Sequence, residues 1–299
     1  GQAAAPGVEI VGASTRLNSV RGNRIGIDAT EAVVANQVGV RLGEGAHDNA
    51  IGSGGRNTIS GNTGAGVLLS GAGAFNTVEG NYIGLTEGGS GDRGNGGDGV
   101  RIEAGSSNTA IRDNTIAGNV GAGIQVRDAA TVETTIVRNR IGINAAASFV
   151  VPNDGDGILV GADAQRSNIG LADSPANANL IRGNGGAGIR VVSGQDHRIR
   201  VNSIGSNSGL GVDLGATGVT ANDAVDADTG ANALQNFPLL GNVLRNAGMV
   251  SMTVAMDSTP NTDFTANVYR NADCDASGHG EAEAYLGEVA LATNATGAA

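Results

Sequence analysis

The nine residues Gly61–Leu69, GNTGAGVLL, recur as Gly118–Val126, GNVGAGIQV, and as Gly183–Val191, GNGGAGIRV. Each copy begins with a Gly-Asn pair, continues through a glycine, and ends in aliphatic residues. Short aliphatic runs bounded by Gly and Asn are typical of β-strands between tight turns. A nearly identical segment written three times indicates a repeat architecture.

The glycine that precedes the aliphatic run recurs along most of the chain. It is found at Gly7, Gly39, Gly66, Gly99, Gly123, Gly157, Gly188 and Gly211, at intervals of 32, 27, 33, 24, 34, 31 and 23 residues. Two further short strands fit between successive glycines, as in Ala-Ile-Arg at 110–112 and Asn-Thr-Ile at 114–116. No segment has a sustained 3.6-residue apolar period, so helix is excluded.

Three short strands per unit of about 23 residues cannot bury an apolar face alone, but stacked units close a continuous interior. The sequence therefore predicts an all-β fold, a right-handed parallel β-helix of about eight coils with three short strands in each. Recurrent asparagines are expected at the corners, in left-handed conformation, with their amides hydrogen-bonded along the stack. They are Asn23, Asn62, Asn81, Asn119, Asn139 and Asn184.

Extra residues follow an Ile-Gly pair in three of the longer intervals, at Asp28–Asn36, Thr86–Gly97 and Asn144–Gly155. Insertions at an equivalent place in successive repeats emerge on the same side of a solenoid. We therefore expect loops along one flank, and this flank is the first place to look for a binding face.

The segments NAIGSGGRNTISGN (Asn49–Asn62), NTVEGNYIGL (Asn76–Leu85) and GNGGDGVRI (Gly94–Ile102) resemble bacterial secreted and surface proteins with pectin-lyase-like β-helix repeats. The resemblance covers about residues 7–235. It implies export and a secreted or cell-surface location. Proteins with many different activities share the repeat, so the resemblance implies the fold more strongly than the function.

The remaining residues, 236–299, form a second unit beside the β-helix of residues 1–235. LQNFPLL (Leu234–Leu240), STPNTDF (Ser258–Phe264) and CDASGHGEAEAYLGE (Cys274–Glu288) are similar to the small Ig-like β-sandwich module that often follows such a helix. About three strands are expected here, around Val250–Met256, Phe264–Val268 and Tyr285–Thr293. This is too few for a sandwich, so the module is expected to be truncated or completed by another segment or chain.

Composition limits the partners. The chain has 18 basic residues, all Arg, against 29 Asp and Glu, for a net charge of −11. This balance argues against nucleic acid, and no apolar run is long enough for membrane insertion. The single cysteine, Cys274, excludes an internal disulfide and a Cys-rich zinc site. The first coil starts without a capping element, so we expect that the rod is either cut from a longer protein or self-associates through uncapped β-helix ends.

An exported β-helix of this kind could be a polysaccharide lyase or hydrolase, which would use clustered carboxylates, often with calcium, and an arginine or lysine base on the outer face of the strands. The candidates are Asp98, Asp154 and Asp156, with Arg101 or Arg127. However, Asp98 and Asp156 hold the position that alanine occupies in sister coils, at Ala65, Ala122 and Ala187. A position shared with alanine favours a structural role at a corner.

Glycan binding has few aromatic platforms to use, since the helical part contains only Phe75, Tyr82 and Phe149. Outward arginines could instead hold carboxylates along one face. They are Arg41, Arg101, Arg127 and Arg190. The alternative interpretation, which we favour, is a solvated strand face of alternating charge.

Calcium is the only cofactor that the sequence suggests. Asp226, Asp228 and Asn232 supply oxygen ligands around a tight turn, although the complete EF-hand pattern is absent. Asp273, Asp275 and Ser277 form a weaker acidic turn. His47, His197 and His279 are too far apart in sequence, and lack the neighbours, for a nucleophilic triad.

The sequence thus favours a non-enzymatic exterior protein: a rigid spacer, an adhesin or a filament subunit. A polysaccharide-active enzyme is the alternative.

Overall fold

The computed structural model of the chain describes residues 5–171, 174–275 and 277–299. Three parallel sheets of eight, seven and seven strands make up residues 8–214. Sheet A contains Val8–Val11, Val40–Gly43, Val67–Ser70, Val100–Glu103, Ile124–Arg127, Ile158–Gly161, Ile189–Val191 and Val212–Leu214. Sheet B contains Ser19–Val20, Ala50–Ile51, Thr77–Glu79, Ala110–Arg112, Thr135–Val137, Asn168–Ile169 and Arg198–Ile199. Sheet C contains Arg24–Ile25, Thr58–Ile59, Tyr82–Ile83, Thr115–Ile116, Arg140–Ile141, Leu180–Arg182 and Ser203–Gly205.

Each strand pairs with its counterpart in the coils before and after it. Val100, for example, lies beside Val67 on one side and Ile124 on the other. The chain visits sheets A, B and C in turn once per coil, so the predicted parallel β-helix of about eight coils with three strands each is confirmed. The only helical segments among the described residues are short 3-10 turns, at Pro175–Asn177, Ala224–Asp226 and Ala231–Leu234.

The core is a stack of aliphatic side chains from all three sheets. One coil contributes Val100 and Ile102 from sheet A, Ile111 from sheet B and Ile116 from sheet C, all fully buried. Alternate residues on each strand point inward, and the period of two in the sequence places the apolar ones there. Burial of these rows against the next coil is the main apolar contribution to stability.

The glycine before each sheet A strand is required by close packing between coils. A Cβ added at Gly123 would lie 2.7 Å from the carbonyl oxygen of Gly157 in the next coil and 2.6 Å from a methyl group of Ile141. Gly188 has the same constraint, with the carbonyl of Gly211 at 2.7 Å. Neither glycine has a positive φ. The GAG element of the opening repeat is therefore explained by the approach of one coil to the next.

The corner asparagines form hydrogen-bonded ladders, as predicted, but their expected backbone conformation is wrong. The left-handed residue is the one before each asparagine, as at Gly80 before Asn81 (φ 72°) and Arg138 before Asn139 (φ 57°). The preceding residue makes the turn. The asparagine can then direct its carboxamide along the stack.

The asparagines belong to different corners. In the corner between sheets B and C, side-chain Nδ2 of each rung donates to Oδ1 of the next at 2.9–3.1 Å. Its rungs are Asn23, Asn57, Asn81, Asn114, Asn139, Asn179 and Asn202. The corner between sheets C and A has rungs Asn36, Asn62, Asn95, Asn119, Asn153, Asn184 and Asn207. A third, shorter ladder joins Asn18, Asn49 and Asn76.

The three inserted segments lie together, which confirms the predicted loop flank. Each is a narrow turn closed by an antiparallel bridge, between Ile27 and Val33, Leu85 and Asp92, and Ile143 and Val150. The first and second loops meet where the backbone N–H of Glu87 donates to Oε1 of Glu31 at 2.8 Å. The second and third meet where Ala145 N–H donates to the carbonyl of Gly89 at 2.9 Å. We call this surface the loop flank.

Residues after the last coil form two antiparallel hairpins, which fit a partial module. Leu239–Asn246 pairs with Met249–Ala255, and Asp263–Arg270 pairs with Ala284–Ala292. The first of these four strands was not predicted. Its residues, LLGNVLRN, do not alternate, because the register shifts between Gly241 and Leu244. The two hairpins form separate two-stranded sheets, and completion of a sandwich by other residues remains a prediction.

This C-terminal part also covers the end of the solenoid at all three corners. Glu281 Oε1 accepts from the backbone N–H and the side chain of Asn207, both at 3.2 Å. At the second corner the Tyr269 hydroxyl faces the backbone N–H groups of Asn202 and Val201, which oppose the rise that burial gives its pKa. At the third corner Asn232 Oδ1 accepts from the N–H of His197 at 2.8 Å. Each ladder or corner stack therefore ends on an acceptor from another part of the chain.

We expect Asn114→Ala to destabilise the protein strongly. Asn114 Oδ1 accepts from both the N–H and the side chain of Asn81, which is fully buried. The Asn81 N–H would lose its acceptor, whereas Asn81 Nδ2 keeps the carbonyls of Ile51 and Glu79, and the carbonyl of Val78 would lose its donor, Asn114 Nδ2. Since a buried unpaired group costs about 1–3 kcal/mol, the free energy of unfolding should fall by roughly 2–5 kcal/mol in chemical denaturation.

Asn23→Ala is the matched control. Asn23 is exposed and is the first rung of its ladder, so no earlier asparagine loses an acceptor when it is replaced. It should lower the free energy of unfolding by about 1 kcal/mol or less. Equal losses for the two variants would contradict the structural role of the ladders.

Candidate functional site

Asp98 is held in place by the next coil. Its side chain is 6% exposed, Oδ1 accepts the backbone N–H of Ala122 at 2.8 Å, and Oδ2 pairs with Arg101 at 2.6 Å. Ala122 occupies the position of Asp98 one coil further on. The carboxylate thus joins consecutive corners, and both of its oxygens are engaged.

Asp156 makes the same connection two coils later. Its Oδ1 accepts the N–H of Ala187 at 2.7 Å. Burial raises the pKa of this carboxyl, and the negative charge of Asp213 acts in the same direction, while the Ala187 N–H and Arg190 oppose the shift. Asp98 and Asp156 lie about 10 Å apart along the axis, at ~4.8 Å per coil. Asp154 is exposed, and its backbone N–H donates to the carbonyl of Asn119.

The predicted arginine row is only partly present. Arg41, Arg101 and Arg190 share one outward row of sheet A, but Arg127 lies two positions further along its strand, beside Gly161. Arg127 follows its anchor glycine by four residues rather than two, so its inclusion in the row was wrong. From first coil to last, the row reads Glu9, Arg41, Leu68, Arg101, Gln125, Leu159, Arg190 and Asp213.

The arginines of this row are paired within the chain. Arg41 contacts Glu9 at 2.6 Å, and Arg190 lies 3.8 Å from Asp213. With Arg101 bound to Asp98, no arginine of the row is left for an acidic ligand. The row carries both charges, as the favoured interpretation has it, but the charges do not alternate, because Leu68, Gln125 and Leu159 interrupt them.

An acidic cluster lies in the connection after the last coil. One carboxylate oxygen from each of Asp223, Asp226 and Asp228 falls within 4.8 Å of the other two. Burial raises the pKa of Asp228, and the charges of Asp223 and Asp226 add to this shift. Asp226 and Asp228 were predicted as calcium ligands, but Asp223 was missed. Asn232, the third predicted ligand, directs its Oδ1 to His197 instead.

The cluster offers hard oxygen ligands of the kind that calcium prefers. Asp223 Oδ1 and Asp228 Oδ1 are buried atoms without a hydrogen-bond partner. Asp226 is committed to the protein, since its oxygens accept from Asn236 N–H and from the side chains of Gln235 and Ser258. The hydrogen bonds of Asp226 would therefore hold the cluster in place, and Asp223 and Asp228 would offer free oxygen atoms to a metal ion.

The second acidic turn is explained without a metal. Asp275 Oδ1 accepts the backbone N–H of Ser277 at 2.7 Å and also its hydroxyl, and these bonds lower the pKa of Asp275. The histidines are separated as expected. His47 pairs with Asp48, His197 is buried at a corner, and His279 packs against the Phe237 ring.

Two concave surfaces lie near the end of the solenoid. A polar groove of about 700 Å³ crosses the outer face of sheet B, lined among others by Glu133, Arg166, Asn168 and Arg198. A cavity of about 830 Å³ lies between the last coil and the C-terminal hairpins. The sequence predicted neither, because the groove joins residues of several coils and the cavity depends on how the C-terminal part packs against the last coil.

The coil geometry agrees with a comparison against protein families, in which the right-handed β-helix region matches residues 6–169. The chain belongs to the right-handed β-helix family. Comparison with curated proteins finds no significant match. In the described ranges, no helix has the length and apolarity required to cross a membrane.

We expect calcium to bind the acidic cluster and to raise the melting temperature. A ligand that binds only the folded state at 100 times its Kd adds about 2.7 kcal/mol to stability. The measurement is thermal unfolding with calcium and with chelator, for the wild type and for Asp228→Asn. The variant should lose the calcium response, and Asp275→Asn should keep it. A wild-type melting temperature indifferent to both additives would contradict a calcium site.

Proposed function

We propose that this chain is a non-enzymatic protein of the cell exterior, a rigid β-helical spacer that presents the loop flank. One observation carries the proposal: Asp98 and Asp156, the carboxylates best placed for chemistry, both accept a backbone N–H of the next coil. A carboxylate that accepts a backbone N–H of the next coil stabilises the stacking of the two coils. The exterior location rests on the resemblance to secreted and surface repeats.

Rigidity follows from the ladders. Each coil is bound to the next by sheet hydrogen bonds and by asparagine rungs, so bending would break many bonds together. A rod of this kind holds its loops at fixed spacing. The loops recur at every second coil, which gives a spacing of about 10 Å along the axis.

The loop flank has the chemistry of an adhesive surface more than that of a catalytic pocket. Exposed apolar side chains stand on it, with Val33 57% and Phe149 50% exposed. One ion pair, between Arg24 and Glu87, lies beside them. A protein or glycan surface that buries the apolar side chains is the partner that this flank fits.

Self-association through the first coil is part of the proposal. The side-chain oxygens of Asn18 and Asn23 accept no hydrogen bond from the described residues, although every later rung of their ladders does. Another coil stacked on this end would supply the donors. A second copy is one source of such a coil.

A polysaccharide-active enzyme is the second candidate, and the polar groove on sheet B favours it. Acidic and basic side chains, Glu133, Arg166 and Arg198, line that groove with asparagine amides. The carboxylates proposed from the sequence, by contrast, belong to the corner before sheet A. An acidic glycan in the groove would therefore not contact Asp98 or Asp156 directly.

Asp156→Asn tests the structural role of this carboxylate, because asparagine keeps an oxygen that accepts the N–H of Ala187. Folding raises the pKa of Asp156, so the ionised carboxylate lowers stability above the folded-state pKa, and the cost disappears below the unfolded-state value. The variant should therefore be at least as stable as the wild type at neutral pH, with the difference vanishing on acidification.

The readouts are chemical denaturation at several pH values and turnover on a panel of uronate polymers. Our proposal predicts no turnover by either protein. A wild type that cleaves any of the polymers would overturn it, and an inactive but folded Asp156→Asn would then identify Asp156 as part of the catalytic site. Asp154→Asn, at an exposed position in the preceding turn, is the matched control for charge.

Size measurement tests the stacking. We expect the mass in light scattering, or rod length in electron micrographs, to increase with protein concentration. A double variant, Asn18→Asp with Asn23→Asp, keeps the acceptors, removes the Nδ2 donors to Asn49 and Asn57, and adds two charges to the same end. It should reduce association, and far-UV circular dichroism checks that it is folded. A wild type that stays monomeric at every concentration would refute self-association, though not the spacer role.

A further inference from the structure

The last strand of sheet A, Val212–Leu214, has an unpaired edge. Seven strands precede it in the sheet, and no strand of the described residues pairs with its far side. In the lower coils the N–H of the equivalent residue donates to a glycine carbonyl of the next coil, as Val100 does to Gly123 at 3.0 Å and Ile189 to Gly211 at 2.9 Å. Val212 occupies this position in the last coil.

The apolar interior is also open at this place. Val212 is 40% exposed, whereas its counterparts Val100 and Ile189 are fully buried. The cavity of about 830 Å³ lies over this end of the core, with Ile199 and Leu214 beside Val212 and with Met256 and Phe264 opposite. Its volume falls within the range of ligand-binding pockets, about 300–1,000 Å³.

The chain itself shows which kind of group closes such an end. Over the last strand of sheet C, Ile204 N–H donates to the carbonyl of Ala282 at 2.8 Å, and Ser203 Oγ donates to the carbonyl of Glu283 at 2.6 Å. A stretch of extended backbone therefore covers sheet C. At the neighbouring end of sheet A, the Thr220 hydroxyl donates to the carbonyl of Leu214 at 3.0 Å and Glu281 lies against Gly211, but no strand of the described residues pairs with the far side of Val212.

Charge selects among the peptides that could fit. Asp213, the outward residue of this strand, is 2% exposed and lines the cavity, and its Oδ1 has no hydrogen-bond partner. Asp156 and Asp213 both act on the single guanidinium of Arg190, so the cluster holds two carboxylates for one cation. Arg200, on the other side of the cavity, is already paired with Glu288.

We propose that the cavity binds an extended peptide segment of a partner protein, in parallel pairing with Val212–Leu214, with the pattern apolar–basic–apolar. Its backbone continues sheet A, its two apolar side chains cover Val212 and Leu214, and its basic side chain meets Asp213. Addition of a strand to a free sheet edge is an established mode of peptide recognition.

The chain's own strands show that this pattern fits the register. Val100-Arg101-Ile102 and Ile189-Arg190-Val191 have it within sheet A. The first strand of a second copy does not fit, because Glu9 would lie over Asp213. This site is therefore distinct from the self-association proposed for the first coil, and it does not depend on the spacer role.

The test uses the full chain and two capped, fluorescently labelled pentapeptides, GVRIV and GVEIV, the second being the sequence Gly7–Val11. Fluorescence anisotropy should show saturable binding of GVRIV, with GVEIV weaker by about tenfold or more because its glutamate faces Asp213. N-methylation of the central amide of GVRIV removes a donor to the edge strand and should abolish binding.

Asp213→Asn should reduce the preference between the peptides to about twofold, and Asp213→Arg should reverse it. Far-UV circular dichroism checks that each variant is folded, and the N-methyl peptide tests the pairing on the wild type alone. No saturable binding of GVRIV, equal binding of both peptides, or insensitivity to N-methylation would overturn the proposal. Preference for GVEIV would do so too, and would identify the occupant as the first strand of a second copy.

Discussion

Buried asparagine carboxamides impose the constraint on which the rest of this structure depends. A carboxamide carries two donors and one strong acceptor, and in the interior each must find a partner. An in-register stack of identical rungs satisfies this demand, since Nδ2 of one rung meets Oδ1 of the next. A coil displaced by one residue would leave several such groups unpaired. The ladders therefore fix the register between coils. The aliphatic core alone would define it less strictly, because aliphatic side chains can pack in many ways.

The direction of the ladders makes the two ends of the solenoid chemically different. At the first coil, acceptors such as the Asn18 and Asn23 oxygens lack donors from the described residues, whereas at the last coil donors need acceptors. Glu281, Tyr269 and Asn232 supply those acceptors from the C-terminal part. This part therefore closes the corners of the β-helix, while no strand of the described residues pairs with the far side of the last strand of sheet A. The first coil therefore presents hydrogen-bond acceptors to a partner, whereas the corners of the last coil already have theirs.

The sequence predicted the coils well because each physical requirement falls on a particular residue type at a recurrent spacing. The close approach of one coil to the next requires glycine, as at Gly123, and the inward rows require aliphatic residues. The repeat can therefore be read directly from the amino-acid sequence. The ladders were underestimated. Asn57 and Asn114 were not recognised as rungs, because the spacing between rungs varies with the inserted loops, and only the structure shows which residues share a corner.

Predictions were weaker where distant segments meet. Asp223 joins Asp226 and Asp228 only because the 3-10 turn at Ala224–Asp226 brings three carboxylates together, and no spacing rule reveals that turn. Arg127 was assigned to the wrong row because an outward position two residues away looks equivalent in sequence. The acceptor role of Glu281 depends on a contact across 74 residues. Such contacts are set by tertiary packing and leave no local signal.

Hydrogen exchange at individual backbone amides tests the central claim most directly. The N–H groups of Asn57, Asn81 and Asn114 donate to a side-chain oxygen of the following rung. If the ladders hold the coils in register, these amides exchange as slowly as those of the neighbouring core strands, and Asn→Ala replacement of the accepting rung accelerates them selectively. Fast exchange at these corner amides in the intact protein, beside slowly exchanging strands, would contradict the account.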